Sequence, residues 1–432
     1  MLFRSLIPAL LLAFSASAAL RPVAHWDVVP YQRLSEPFAA GVVAFYDKEF
    51  KVEFLIDGKK VAEAVKPAYN ERTRVVEHWF TVDVASMKDG PVVLGAKVVA
   101  VDGTSYTLPD LPMYANAGGT LNTGKTVWLD QINGIDYSEG TKDRPVKTMK
   151  RAIFRAGDGG TVYLMRPGIY KAERVGGGND RKYWTTVTPA PGLSRKEVKV
   201  KGGRTGCDKL RFKDVQLFCD VEGGQGYLLA GVDENSICWV DNCIMSNRSG
   251  RESALSYPFG NRLTGYVTGG ATTEMGRGPC SRLLRNHVIK NISAEAFSGS
   301  NCLAVNCRVS GIDSLGVVEN PSLVRSQAPM GEWTHDVILA NIKVEGCNCN
   351  AFFGARLRDS TFSNIAVDAA SDEKYESRYS SDVENVWFDK VRIGAQRWVW
   401  TKTDSQTGDF KPVDVRVTGC SFELPKKNDD EN

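Results

Sequence analysis

The sequence predicts an all-β chain in two parts, an antiparallel sandwich followed by a solenoid of short stacked strands. Three observations predict it. Residues 20–116 alternate apolar and polar positions, with turn dipeptides about every ten residues. The region beyond repeats a short unit whose corner residue is usually Asn, Asp or Gly. All ten cysteines lie from Cys207 onward, so the two parts also differ in composition.

At 432 residues the chain exceeds one ordinary core, while 42% hydrophobic and 24% charged residues are values of a folded protein. Residues 1–19 combine Arg4, an apolar run from Leu6 to Phe14 and the small-residue pattern Ala16-Ser17-Ala18, which is the signature of a secretory signal peptide. Export, to the periplasm or beyond, is therefore expected. No later run approaches the ~20 apolar residues that a membrane-spanning helix needs. The net charge of +3 argues against a nucleic-acid partner and suits, weakly, an acidic polymer.

The runs GVVAFY, KVEFLIDGKK, HWFTVDV and VVLGAKVVAVDGTSY are strand-like, with Asp57-Gly58, Asp89-Gly90 and Asp102-Gly103 as turns. They predict an immunoglobulin-like or fibronectin-type sandwich over residues 20–116, without the cysteine pair of antibody domains. His25 and His78 fall inside it and are expected to be structural. The stretch 117–127, rich in Gly, Asn and Thr, is expected to be a linker.

The solenoid is expected over residues 128–424, with an acidic tail at 425–432. Eight segments align: FKDVQL, VDNCIM, LRNHVI, AVNCRV, LANIKV, LRDSTF, FDKVRI and VTGCSF. Their third positions are Asp214, Asn242, Asn286, Asn306, Asn341, Asp359, Lys390 and Gly419. Intervals range from 18 residues (Asn341 to Asp359) to 44 (Asn242 to Asn286), which describes one unit with loops of different length between copies. Asn tolerates the left-handed backbone of a tight corner, and stacked Asn side chains can bond along the pile. Between GGTVY and GIYK, Pro167-Gly168 marks such a strand, corner, strand arrangement.

GIDYSEGTKDRPVKTMKRAI followed by GDGGTVYLMRPGIY resembles the opening of pectin-lyase-like right-handed parallel β-helix proteins. That resemblance covers about residues 128–424. It implies a single-stranded right-handed parallel β-helix, with a short capping helix at Thr148 to Ala156 before the first coils. The whole layout is similar to exported β-helix proteins of polysaccharide-degrading bacteria. In such proteins a His-Pro-Asp turn is expected where this chain has Asn320-Pro321-Ser322, and the change removes an acid and an imidazole.

Chemistry on such a solenoid is expected where long insertions wall its face, at Arg248 to Ser281 and Ile312 to His335. A polysaccharide lyase acting on an acidic glycan must neutralise the uronate carboxylate, remove the C5 proton and protonate the leaving oxygen. Arg325, Arg356 and Arg358 are candidates for the first task, a role that calcium also fills, and His335 is the candidate base. A glycoside hydrolase instead needs two carboxylates, and Glu295, Asp313 and Asp336 are the acids nearest these loops. Trp398 and Trp400 alternate in RWVW, as a sugar platform or as a cap over the last coil. A non-catalytic glycan-binding protein is the remaining alternative, with the sandwich as an accessory module.

Other features point to packing. His287 occupies the same repeat slot as Cys243 and Cys307, which predicts a buried coil residue. Cys347 and Cys349 lack the second cysteine pair of a zinc site. GGGND at Gly176 to Asp180 lacks the Lys-Ser/Thr of a phosphate loop.

Overall fold

The computed structural model describes residues 21–121, 123–172, 175, 181–202, 206–219, 228–231, 236–247, 263–275, 281–297, 301–317, 334–347, 357–369, 376–380, 383–393, 397–401, 413–418 and 421–422. The segment 1–19 and the turn Asn320-Pro321-Ser322 lie outside them.

The first part is an antiparallel sandwich. One sheet joins Val23–Trp26, Phe38–Phe45, Val75–Val82 and Ala68–Asn70 in that order. The other runs Arg33–Leu34, Leu111–Ala115, Gly90–Ala100, Phe50–Ile56 and Lys59–Ala64, with Ser105–Thr107 beside Gly90–Ala100. Alternation sends Val52, Phe54, Leu94, Ala96 and Val98 into a core closed from the other sheet by Ala40, Val42, Phe80 and Val82. Asp57 and Gly58 both have positive φ (48° and 75°), the primed turn that the Asp-Gly pair predicts between Phe50–Ile56 and Lys59–Ala64.

The second part is a parallel β-helix. Thr126–Leu129 pairs in parallel with Thr161–Leu164, which pairs with Thr185–Pro189, and so on through Leu210–Lys213 and Ser236–Asp241. Gly168–Lys171 starts a second ladder through Val198–Lys201, Gln216–Cys219 and Ile244–Asn247. Each strand thus pairs with the strand one coil later, so its apolar inward face finds a partner. Helix Met149–Ala156 closes the first coil. Thr148 is its N-cap, accepting from Arg151 N at 3.3 Å, and Met149, Ala152, Ile153 and Ala156 form the buried stripe.

The corner residues behave as the sequence predicts. Asp214, Asn242, Asn286, Asn306, Asn341, Asp359 and Lys390 all have φ between 49° and 55°, and Gly419 lies outside the described residues. One alignment needs correction. Asp359 does not continue the Asn306–Asn341 column; Asn364 does, with φ 50°. Gly269, φ 65°, fills the column between Asn242 and Asn286. The corrected intervals narrow to between 17 residues (Gly269 to Asn286) and 35 (Asn306 to Asn341). Along this column Asn242 donates to Asp214 Oδ1 (2.6 Å), Asn341 to Asn306 Oδ1 (3.1 Å) and Asn364 to Asn341 Oδ1 (2.7 Å). Asp359 belongs to a second column, described below, whose short corner demands the same residue types.

The sandwich packs directly onto the helix. In the coil strand Cys302 to Val305, Cys302 and Ala304 point into the helix core, whereas Leu303 and Val305 join a cluster with Val23, Val29 and Val43 of the sandwich. The next coil repeats the division, with Val337 and Leu339 inward and Ile338 and Ala340 outward. Trp184, Trp239 and Tyr266 extend the same interface. Polar locks surround it: Asn286 donates to Thr73 O (2.8 Å), Asn306 to Arg74 O (2.7 Å), and Arg285 pairs with the buried Asp27.

His287 is buried, as expected, with Nδ1 2.7 Å from Gly269 O and Nε2 2.8 Å from Thr272 Oγ1. This geometry suits the neutral ring, with Nδ1–H donating to the carbonyl and Nε2 accepting from the hydroxyl. Burial pulls its pKa down to about 4. Because the folded value is depressed, the unfolded chain protonates first, so this contribution is complete above about pH 6.5 and is lost as pH falls through about 4. The expected loss is on the order of 3 kcal/mol across that window. His287→Gln should flatten the fall in denaturation free energy; an unchanged slope assigns it to other groups.

Candidate functional site

The expected site residues separate into three places. Arg325 and Arg356 lie outside the described residues. For Glu295, Asp313, His335, Arg358, Trp398 and Trp400, strand placement is described. For Asp336 side-chain contacts are described as well.

His335 ends the short strand Thr334–His335, which pairs in register with Leu357–Arg358 of the next coil, so that His335 is opposite Arg358. Arg358 is in turn the partner of Glu384, in Val383–Ile393. A base, a cation and a carboxylate thus occupy one row across three successive coils, with backbones about 4.8 Å apart at each step. Glu384 is the member that the sequence reasoning missed. A signal for it exists: Thr-His-Asp, Leu-Arg-Asp and Val-Glu-Asn share one pattern, a strand residue and a titratable residue followed by Asp or Asn.

That third residue forms the second corner column. Asp336, Asp359 and Asn385 have φ of 54°, 49° and 50°. Asn385 donates to Asp359 Oδ1 at 2.7 Å. Arg21, two residues before Val23–Trp26, lays its guanidinium across the two carboxylates, 2.6 Å from Asp336 Oδ1 and 2.8 Å from Asp359 Oδ2. It also sits 4.6 Å from the centre of the Tyr106 ring. His25 Nε2 lies 2.6 Å from Asp336 O. Asp336, one of the three acids weighed for a glycoside hydrolase, is therefore engaged by the sandwich, and Arg21 fixes the corners that follow His335 and Arg358.

Removing that clamp leaves two adjacent carboxylates without their shared cation. Arg21→Ala is expected to raise amide hydrogen exchange in 334–336, 357–359 and 383–385 by about tenfold, the equivalent of some 1.4 kcal/mol of local opening. Exchange in Phe50–Ile56 serves as the control. Uniform acceleration, or none, would remove Arg21 from this role.

Glu295 and Asp313 lie on the paired strands Val288–Phe297 and Cys302–Val317, where Glu295 is opposite Ser314 and the register shifts on both sides of it. No described pairing joins them to the His335 row. Arg397–Thr401, which carries Trp398 and Trp400, forms a separate parallel pair with Glu376–Ser380. Among the described residues no group of three or more His, Cys, Asp and Glu side chains comes together as a metal site, and the Asp336 and Asp359 carboxylates already face Arg21.

A shallow cleft of about 630 Å³ lies elsewhere, between the loop Ala190 to Lys196 and the corner residues Asp214 and Asn242. Arg195 donates to Asn242 O (2.7 Å) and Oδ1 (2.8 Å) there, which ties the loop to the first column. Among the described residues that line it there is no expected site residue. No helix among the described residues is long and apolar enough to cross a membrane.

No protein-family model and no curated protein matches this chain. Among solved structures it is similar to a GH136 lacto-N-biosidase from Eubacterium ramulus, at 10% identity over 68% of each chain with a TM-score of 0.33. It is similar to Pantoea stewartii WceF, a glycan biofilm modifying enzyme with a bacteriophage tailspike-like parallel β-helix fold. There the identity is 9%, the coverage 88% of this chain and 62% of that one, and the TM-score 0.22. Over 24% of its length it is similar to fibronectin(III)-like modules of Clostridium thermocellum CbhA, at 12% identity and a TM-score of 0.19, spanning half of that structure. Scores this low carry no weight for activity, and the architecture rests on the strand register above.

Proposed function

We propose that the protein is an exported carbohydrate-active enzyme, a polysaccharide lyase that cleaves an acidic glycan by β-elimination in a groove along the β-helix. The observation that supports this most is the row His335, Arg358 and Glu384 on three successive coils. Arg358 neutralises the uronate carboxylate, which acidifies the neighbouring C5 proton. His335 takes that proton, the C4–O bond breaks as the C4–C5 double bond forms, and a carboxyl group such as Glu384 supplies the proton to the leaving oxygen. Three groups held in one row of a stacked sheet need little reorganisation around an extended chain. Arg325 and Arg356 remain candidates for further carboxylate contacts, and calcium for part of the neutralisation; Glu295 and Asp313 retain the hydrolase alternative.

The test is incubation of the purified protein with a panel of acidic and neutral polysaccharides, following ultraviolet absorbance of unsaturated ends and, separately, new reducing ends. Unsaturated ends from an acidic member are expected. Reducing ends without absorbance favour the hydrolase, and no product from any member favours non-catalytic glycan binding.

A further inference from the structure

The helix face that follows the first corner column is not covered by the sandwich, and it carries an arrangement that packing does not explain. Val288–Phe297, Cys302–Val317 and Val337–Cys347 stack in parallel. In their register Arg308 is the direct partner of Lys343, while Lys290 opposes Ser310, which opposes Glu345. Lys290, Arg308 and Lys343 are all exposed, and the inward positions between them, Ile289, Val309 and Val344, are buried. The row of Arg308 and Lys343 continues through Ala366 to Arg392.

Like charges placed directly opposite each other in a sheet are destabilising. Lys343 is partly offset by its pairing with Glu345, whose carboxyl lies below the usual range through that hydrogen bond and through the charges of Lys343, Arg308 and Lys290. Among the described residues Lys343 is thus the one cation in direct contact with that carboxylate, and Arg308 and Lys290 act on it only through their charge. Lys290 and Arg308 pair with no acid among the described residues. Arg308 and Lys343 follow each other at the coil spacing of about 4.8 Å, and Lys290 lies one coil before Arg308 and two residues further along its strand, so the cations step along the helix axis rather than around a point. A small anion would meet one or two of these groups; an extended chain with an anionic group at each residue meets them all.

We infer that the exposed sheet at Lys290, Arg308 and Lys343 is a second binding surface, which takes a linear anionic glycan laid along the helix axis. The inference rests on the acidic-glycan reading above but uses a different face from the His335 row. Such a surface holds the polymer by screened charge pairs, so binding falls steeply with salt.

The test measures affinity for polygalacturonate by isothermal titration at about 0.05 M and about 0.5 M salt, with dextran as the neutral control and double-stranded DNA as an unrelated polyanion. Arg308→Gln with Lys343→Gln should weaken polygalacturonate binding about tenfold at low salt, because two of the exposed charges that would meet the polymer are gone. Its thermal midpoint should stay equal or rise, because the like-charge pair is gone. His335→Ala with Arg358→Ala separates the two faces. If that variant loses product formation yet keeps binding, both readings stand; if wild type binds without forming product, this surface stands and the lyase reading falls. Unchanged affinity in Arg308→Gln with Lys343→Gln, or equal affinity for DNA, overturns the surface.

Discussion

Arg285→Ala is expected to destabilise the protein by about 3–5 kcal/mol, because it removes the cation from a carboxylate that stays buried. Arg285 ends the coil strand Leu283–Arg285, Asp27 follows Val23–Trp26 of the sandwich, and they are 8% and 0% exposed. Nothing nearby replaces the lost partner in full. Arg72 donates to Asp27 O and to Ala39 O, which fixes it to the backbone. Burial and the charge of Asp27 push the Glu77 carboxyl upward, and this neighbour supplies no positive charge. Urea unfolding reports the loss, with fluorescence of the interfacial Trp184 and Trp239. Replacing both partners with apolar residues, Arg285→Met with Asp27→Leu, should recover much of it. A loss below about 1 kcal/mol for Arg285→Ala would mean that the sandwich does not depend on this pair.

Asn341→Ala is the second large effect. Asn341 has φ 55°, donates to Asn306 and accepts from Asn364. Alanine in the left-handed region costs roughly 1–2 kcal/mol, and the two lost hydrogen bonds add about as much again. Glycine removes only the second part, because it adopts that backbone freely. Denaturation should therefore rank the native Asn first, then Gly, then Ala, with Ala some 2–4 kcal/mol below the native protein. Equal losses for Gly and Ala would show that corner strain plays no part.

These two sites mark what the sequence discloses. The corner column was legible because a single backbone conformation restricts the residue choice at each turn, whatever the intervening loop length. It was misaligned at LRDSTFSNIAV because that coil has two such corners, Asp359 and Asn364, and both accept the same side chains. Docking of the sandwich left a trace in the continuous apolar runs CLAV and VILA, since a strand buried on both faces loses its alternation. Its partners left none: Asp27 and Arg285 are 258 residues apart, and Arg21 and Asp336 are 315 apart. His335 and Arg358 were legible as chemistry-bearing types, but their row with Glu384 required the strand register. Candidates chosen from loop position alone, such as Glu295 and Asp313, share no described pairing with that row.

The most direct measurement is the mass of the oligosaccharides released from a polyuronate by the wild-type protein and by Arg358→Ala. Fragments one water lighter than the hydrolysis products are expected from the wild type, and none from the variant, with both melting at the same temperature. Undiminished release by Arg358→Ala, or full-weight saturated fragments from the wild type, would contradict an elimination centred on the His335 row.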